Sequence, residues 1–462
     1  MKRRTFLQGG LAAPAALRGA GSRPNILFAI ADDWGWPHAR VYGDTVIRTP
    51  TFDRVCEQGV VFTQAYCAAP SCTPSRAAIL TGRAPHRLEE GGNLWSFLPS
   101  KFPVYPDLLE KTGYFVGFER KGWGPGTLEG SGRTRNPAGN AFKDFNHFLS
   151  SAPQDKPFCY WFGSHDPHRP YEKGSGAASG LNPKGVRVPA FLPDVPEVRG
   201  DFLDCFFEAQ RFDRETGEIL RQIERAGRLE NTIVIMTGDN GCSFPRSKAN
   251  VYNWGSHQPF AMMWKAGMKG GRTVDEFITL ADMAPTFLEA AGLKPLAAMT
   301  GRSILGLATG ASREKRDAVF VERERHANCR AGNLGYPMRA ARTREYLYIR
   351  NLRPDRWPAG DPGRFGDVDP GPSKDYVLQH RNEPYFPLAF EKRPAEELYD
   401  LKKDPFEIRN VAGDSAYAGA RRDMRARLDL WMRETADPRA SSDADPWDSY
   451  PYVGGGGGGR KK

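Results

Sequence analysis

The sequence predicts an α/β protein organised on a large, mostly parallel sheet, and three observations predict it. Short runs such as Asn25-Ile26-Leu27-Phe28-Ala29-Ile30-Ala31, Phe158-Cys159-Tyr160-Trp161-Phe162 and Thr232-Ile233-Val234-Ile235-Met236 are almost wholly apolar. Strands buried on both faces of a parallel sheet read this way. Each run ends in polar chemistry: Asp32-Asp33, His165-Asp166-Pro167-His168, and Asp239-Asn240. The carboxyl edge of a parallel sheet is where α/β proteins place ligands. The third observation is size: 462 residues suffice for one large α/β domain and a smaller one.

The chain is 40% hydrophobic and 26% charged, a globular composition, and its 50 Gly and 37 Pro imply many loops. A formal net charge of +10 favours an anionic partner; nucleic acid, an anionic membrane surface and a sulfated glycan all fit that sign. No run of 18 apolar residues occurs, so no membrane span is expected. Lys2-Arg3-Arg4-Thr5-Phe6-Leu7 followed by a weak apolar stretch from Leu11 to Leu17 resembles a twin-arginine (Tat) export signal over residues 1–21. That predicts recognition by the Tat translocase and a periplasmic or secreted protein. Seven cysteines, Cys56, Cys67, Cys72, Cys159, Cys205, Cys242 and Cys329, show no zinc spacing, and no specific bridge is predicted.

Taken in order, the first strand delivers Asp32 and Asp33. Two adjacent carboxylates at a buried strand end are costly unless a cation sits between them. Hard oxygen ligands favour Ca²⁺ or Mg²⁺ over zinc. A helix from Thr49 and a strand from Gly59 to Tyr66 lead into Cys72-Thr73-Pro74-Ser75-Arg76-Ala77-Ala78-Ile79-Leu80. A helix is predicted to begin near Pro74, with its free N–H groups available to an anion. The run Tyr114 to Phe118 predicts a strand carrying Lys121, with Arg120 as the alternative, into a Gly-rich loop. Asp239 and Asn240 form the second pair of oxygen donors. With Asp32 and Asp33 they would surround one divalent ion. From about Ser312 the character changes. Asp317 to Glu322 reads as a last strand of the main sheet. Arg339 to Arg350 and Glu397 to Pro405 read as antiparallel strands, packed by a helix over about Tyr417 to Glu434. The expected units are 22–335, 336–453 and a flexible Gly-rich tail over 454–462.

The signature Cys72-x-Pro74-Ser75-Arg76, closing on Leu80-Thr81-Gly82, resembles that of the formylglycine-dependent sulfatases. Asp32-Asp33, Lys121, Pro167-His168, Asp239-Asn240 and Lys248 follow the family's order, so the resemblance spans roughly Arg23 to Val411. The segment His165 to Arg169 and the loop Phe244-Pro245-Arg246-Ser247-Lys248 resemble the sulfamidase (heparan N-sulfatase) branch. The resemblance implies an alkaline-phosphatase-like fold: helices on both faces of the large sheet, plus a smaller C-terminal antiparallel sheet. It also implies that Cys72 is converted to formylglycine by a formylglycine-generating or anaerobic sulfatase-maturating enzyme. Ca²⁺, or Mg²⁺, would be held by Asp32, Asp33, position 72, Asp239 and Asn240. Arg76 would steady the nucleophile, Lys121 the sulfate, Lys248 both, and His168 would protonate the departing oxygen. His165, Arg325, His326, Arg353 and Arg356 become candidates for reading a sulfated sugar or polysaccharide, the partner expected in place of nucleic acid. One departure stands out: the family's Gly-Lys-Trp-His loop lacks its His here. A phosphate or phosphonate monoester hydrolase on the same scaffold, and a non-catalytic glycan-binding relative, are the alternatives.

Overall fold

The computed structural model describes residues 23–454. The twin-arginine segment and residues 455–462 of the tail lie outside the described residues. The strands in chain order are β1 (Asn25–Ala31), β2 (Val60–Phe62), β3 (Ala65–Tyr66), β4 (Phe115–Arg120), β5 (Asn140–Ala141), β6 (Phe158–Gly163), β7 (Thr232–Gly238), β8 (Phe260–Met263), β9 (Arg272–Val274) and β10 (Ile278–Thr279). Four more follow: β11 (Val319–Arg323), β12 (Met338–Arg342), β13 (Tyr346–Asn351) and β14 (Glu396–Asp400). The large sheet runs β5-β4-β6-β1-β7-β8-β2-β9, and β8 alone opposes its neighbours. β3 and β10 form a separate two-stranded pair.

Every residue of β1 is buried, because alternate side chains enter two different cores. Ile26, Phe28 and Ile30 pack in one, with Ile79 and Leu80 of the helix Cys72–Thr81 and Phe287 of Met283–Ala290. Leu27 and Ala29 pack in the other, with Phe52 of the helix Pro50–Gln58 and the 30-residue helix Pro196–Arg225. That long helix starts with Pro at its first position and buries Val198, Phe202, Ala209, Phe212, Ile219 and Ile223 on one stripe. Covered on both faces, the central strands have no need of alternation, which is why they read as continuous apolar runs.

One expectation is corrected. The strand near Asp317 to Glu322 is β11, and it belongs to the small sheet, not the large one. It pairs antiparallel with β12, Val319 opposite Arg342, in the order β11-β12-β13-β14. Val321 faces Met338, Ala340 and Ile349 in a core of the small sheet's own. The helix Ala418–Glu434 covers the opposite face, setting Met424, Leu428 and Met432 on Tyr348 and Leu398. Each such fully buried side chain contributes about 1.5–3 kcal/mol. Among the described residues no helix is long and apolar enough to cross a membrane.

Candidate active site

The site forms where four parallel strands stop at one edge. β1 and β7 pair in parallel with Ala31 opposite Gly238, so Asp32-Asp33 and Asp239-Asn240 emerge side by side. β6 flanks β1 with Gly163 opposite Ile30, and β4 flanks β6 with Arg120 opposite Gly163. Lys121 and the His165–His168 loop therefore leave the sheet at the same level. Gly163 is required there: a Cβ would lie 1.7 Å from the Lys121 carbonyl oxygen. Asp33 adopts a left-handed φ of 72°, unusual for a residue with a side chain. Its N–H donates to Asp239 Oδ1 at 3.0 Å.

The helix of the signature begins at Cys72, two residues earlier than expected, since Pro is tolerated throughout a first turn. Ser71 caps it in extended conformation, but its hydroxyl pairs with His326 Nδ1 at 2.8 Å rather than with a helix N–H. Ser75 Oγ donates to the Asp239 carbonyl at 2.6 Å, tying the helix to β7. Gly82 closes it with a left-handed φ of 68°. All ten residues are buried. Cys72 Sγ stands 3.3 Å from Asp32 Oδ1, 3.8 Å from Asp33 Oδ1 and 4.0 Å from Asn240 Oδ1. Burial, with the Asp32 carboxylate beside it, pushes the Cys72 thiol well above its ordinary value. A thiol so held stays protonated and is a poor nucleophile.

Three cations meet the three carboxylates. Arg76 is fully buried; its Nε donates to Asp239 Oδ2 at 2.7 Å and its Nη1 to the carbonyls of Lys121 and Gly122. Lys121 Nζ pairs with both oxygens of Asp32. Lys248 Nζ lies 2.7 Å from Asp33 Oδ2 and 3.0 Å from Asp369 Oδ2. Burial alone would raise the Asp32 carboxyl, but Lys121 foremost, with His168, Arg76 and Lys248, holds it well below the carboxylate range. Burial likewise opposes charge on Lys248, yet Asp33 and Asp369 keep its ammonium form well favoured.

These residues fit a hard divalent cation. Ligand atoms of Asp32, Asp33, Cys72 and Asp239 all lie within 4.8 Å of one another. Asn240, whose amide N donates to Asp33 Oδ1 and Asp239 Oδ1, adds a fourth oxygen-bearing side chain. Carboxylate and amide oxygens suit Ca²⁺ or Mg²⁺. Arg76 Nη2 is buried without a hydrogen-bond partner, 3.7 Å from Asp32 Oδ1, a donor left over for an oxygen the protein does not supply.

The site opens at its rim, where the His168 side chain is 36% exposed and that of Asp369 25%. His168 Nδ1 donates to the Arg169 carbonyl at 2.6 Å, and its Nε2 is 3.9 Å from Asp33 Oδ2. His165 is exposed on the same loop, its carbonyl accepting the His168 N–H. Arg120, the alternative to Lys121, turns outward to Glu215.

The proposed sugar readers divide. His326 is buried behind Ser71, and that burial depresses its pKa to about 4. Arg325, Arg353 and Arg356 are bound elsewhere. Arg325 donates to the carbonyls of Tyr450 and Pro451. Arg353 holds Asp445 at 2.7 Å, and Arg356 holds Asp445 and Asp448. The last described segment folds back across these arginines and binds each of them, so they anchor residues 443–451 rather than face the site. Two residues that sequence reasoning missed do face it: Asp369, and Ser243, whose hydroxyl donates to Asp33 Oδ2 at 2.6 Å.

Residues 24–293 match the family described as Sulfatase, and residues 246–359 match that described as N-sulphoglucosamine sulphohydrolase, C-terminal. An ulvan-active sulfatase of Formosa agariphila is 25% identical, covering 90% of this chain and 76% of its own. Human N-sulphoglucosamine sulphohydrolase is 28% identical over 90% of this chain and 91% of its own. A solved structure in complex with its substrate D-glucosamine-2-N, 6-O-disulfate superposes with a TM-score of 0.67 at 18% identity, over 90% of this chain and 99% of that one. The phosphonate monoester hydrolase of Agrobacterium radiobacter shares the fold at a TM-score of 0.62 and 16% identity, over 89% and 96%. With the family match spanning more than half of its length, and with the paired acids, the signature cysteine and the three cations converging at one sheet edge, this chain belongs to the sulfatase family of sulfuric ester hydrolases.

Proposed function

We propose that the protein hydrolyses a sulfate ester or N-sulfate of a sulfated carbohydrate, with position 72 as nucleophile and one divalent cation at the strand ends. The observation that carries this reading is the meeting of Cys72 with Asp32, Asp33, Asp239 and Asn240, drawn from two strand ends more than 200 residues apart. Relatives named for ulvan and for N-sulphoglucosamine support a sulfated-sugar substrate. A formylglycine made from Cys72 by a maturating enzyme would, once hydrated, supply a hydroxyl nucleophile, and Ca²⁺ or Mg²⁺ held by Asp32, Asp33, Asp239 and Asn240 would supply Lewis-acid polarisation of the sulfate.

The chain's own residues do the rest. Arg76 offers its spare Nη2 to an oxygen at position 72. Lys121 and Lys248 stand on either side of the carboxylate pair and stabilise negative charge growing on the sulfate oxygens. Because His168 Nδ1 is committed to the Arg169 carbonyl, its Nε2 faces the centre. As imidazolium it hands that proton to the departing oxygen or amine. Export by the Tat translocase to the periplasm or beyond belongs to the same proposal and rests on Lys2 to Leu7.

The test is mass spectrometry of the tryptic peptide Val55 to Arg76 from exported protein, paired with hydrolysis assays on sulfated sugars and on a phenyl phosphonate monoester. A thiol-to-aldehyde mass change with faster sulfate release is expected. An unmodified thiol in folded, exported protein, or preferential phosphonate hydrolysis, would overturn the reading.

A further inference from the structure

The rim carboxylate of Asp369 is not explained by the chemistry above. One oxygen, Oδ2, is bound to Lys248, and the side chain stays partly open beside His168. Ligand atoms of Asp33, His168 and Asp369 come within 4.8 Å of one another, so Asp369 stands at the leaving-group side of the centre.

The surrounding chain holds it there firmly. Two residues earlier, Asp367 is buried and accepts from Arg323, Arg330 and the Ala327 N–H. Lys374 Nζ donates to the carbonyls of Arg364, Phe365 and Val368 at 2.7–3.1 Å. On the far side Gly371 lies against Arg169, where a Cβ would meet its Nη1 at 2.4 Å. Arg169 follows His168 in sequence and binds Asp201 at 2.6 Å, and Ser373 Oγ binds the same Asp201 oxygen at 2.6 Å. The Asp369 loop and the His168 loop are thus knitted through one shared carboxylate. A group needed only to neutralise Lys248 would not require its approach to His168 to be set as well.

We propose that Asp369 is a specificity residue: it accepts a hydrogen bond from a free hydroxyl on the carbon beside the scissile sulfate, and it repels a second sulfate at that position. This rests on the sulfatase reading above. Lys121, Lys248 and Arg76 would otherwise welcome any polysulfated sugar; a fixed negative charge at the rim supplies the repulsive element that selectivity needs. A hydrogen bond from a hydroxyl to a carboxylate accounts for roughly a tenfold to hundredfold preference.

The test compares glucosamine 2-N-sulfate with glucosamine 2-N,3-O-disulfate, which differ only beside the scissile group. Binding is measured by calorimetry on Cys72→Ala and on Cys72→Ala with Asp369→Asn, and turnover on wild type and Asp369→Asn. Wild type should favour the monosulfate at least tenfold in kcat/KM, mainly through KM. Asp369→Asn should shrink that ratio at least fivefold in both binding and turnover. Folding of each variant is checked by its cooperative melt, and Asp369→Glu should recover part of the preference. If Asp369→Asn slows both sugars equally and leaves the ratio unchanged, Asp369 only supports Lys248 and the proposal falls while the sulfatase reading stands. If Cys72→Ala binds neither sugar, the assignment of Asp369 as a reader of this sugar falls, while the sulfatase reading, which also admits sulfate esters of other sugars, is judged by the hydrolysis assays above.

Discussion

Replacing Lys248 with Met removes an ammonium while keeping the length of the buried stem. The Lys248 side chain is 5% exposed and its Nζ joins Asp33 at 2.7 Å to Asp369 at 3.0 Å. Breaking one partner of a buried ion pair costs about 3–5 kcal/mol. Asp33 keeps the Asn240 amide at 2.7 Å and the Ser243 hydroxyl at 2.6 Å, so the loss belongs at the lower end, about 3 kcal/mol. Catalysis should suffer more than folding. A donor fixed beside the sulfate and lost from the transition state costs roughly a hundredfold to a thousandfold in kcat. Denaturant unfolding with calcium present gives the first number, and steady-state hydrolysis of a sulfated sugar gives the second. Lys248→Arg restores charge but not the compact ammonium, and should recover only part of the rate. Lys248→Met with wild-type kcat/KM and reduced stability would refute the placement of this ammonium on the reacting sulfate.

Other expectations follow from the same geometry. Calcium should raise the melting temperature and chelation should lower it with loss of turnover; at a thousandfold excess over Kd the ion contributes about 4 kcal/mol, and a melt indifferent to chelator would contradict a cation at Asp32, Asp33, Asp239 and Asn240. Burial depresses the pKa of His326 from 6.5 to about 4, so the unfolded chain binds the extra proton first. Stability is then full above about pH 6.5 and falls toward pH 4, by at most about 3 kcal/mol from this group. Unfolding midpoints of wild type and His326→Gln across that window should converge in slope only if His326 is not the cause. Arg353→Ala should leave kcat/KM within about twofold and cost about 1 kcal/mol, because its partner Asp445 anchors the C-terminus; a selective loss on sulfated sugars would return Arg353 to the site.

Much of the site was legible because its residues sit at strand ends. A strand buried on both faces must be apolar throughout, so Asp32-Asp33 and Asp239-Asn240 stand out where the runs stop, and the register of β1 with β7 makes them neighbours. Lys121 was legible for the same reason on β4. What was not legible depends on distant partners. Arg325, Arg353 and Arg356 resembled readers of an anion until residues 445–451 folded back upon them. Asp369 carries no signal of its own: it is one Asp in the loop Gly366-Asp367-Val368-Asp369-Pro370-Gly371, and only the packing of that loop against Arg169 gives it a role. β11 was assigned to the wrong sheet because an apolar run specifies burial and not the neighbour it pairs with.

The helix from Cys72 to Thr81 is buried along its whole length, and Cys72 itself is 2% exposed. No macromolecule can grip Cys72-Thr73-Pro74-Ser75-Arg76 once this core has closed around it. Any enzyme that rewrites the thiol must therefore act on an extended segment, reading a linear peptide while the chain is still being made or before it collapses. Were position 72 converted as proposed above, a molecule that folded first with its thiol intact would enclose that sulfur in the core, and unfolding would have to precede any later conversion.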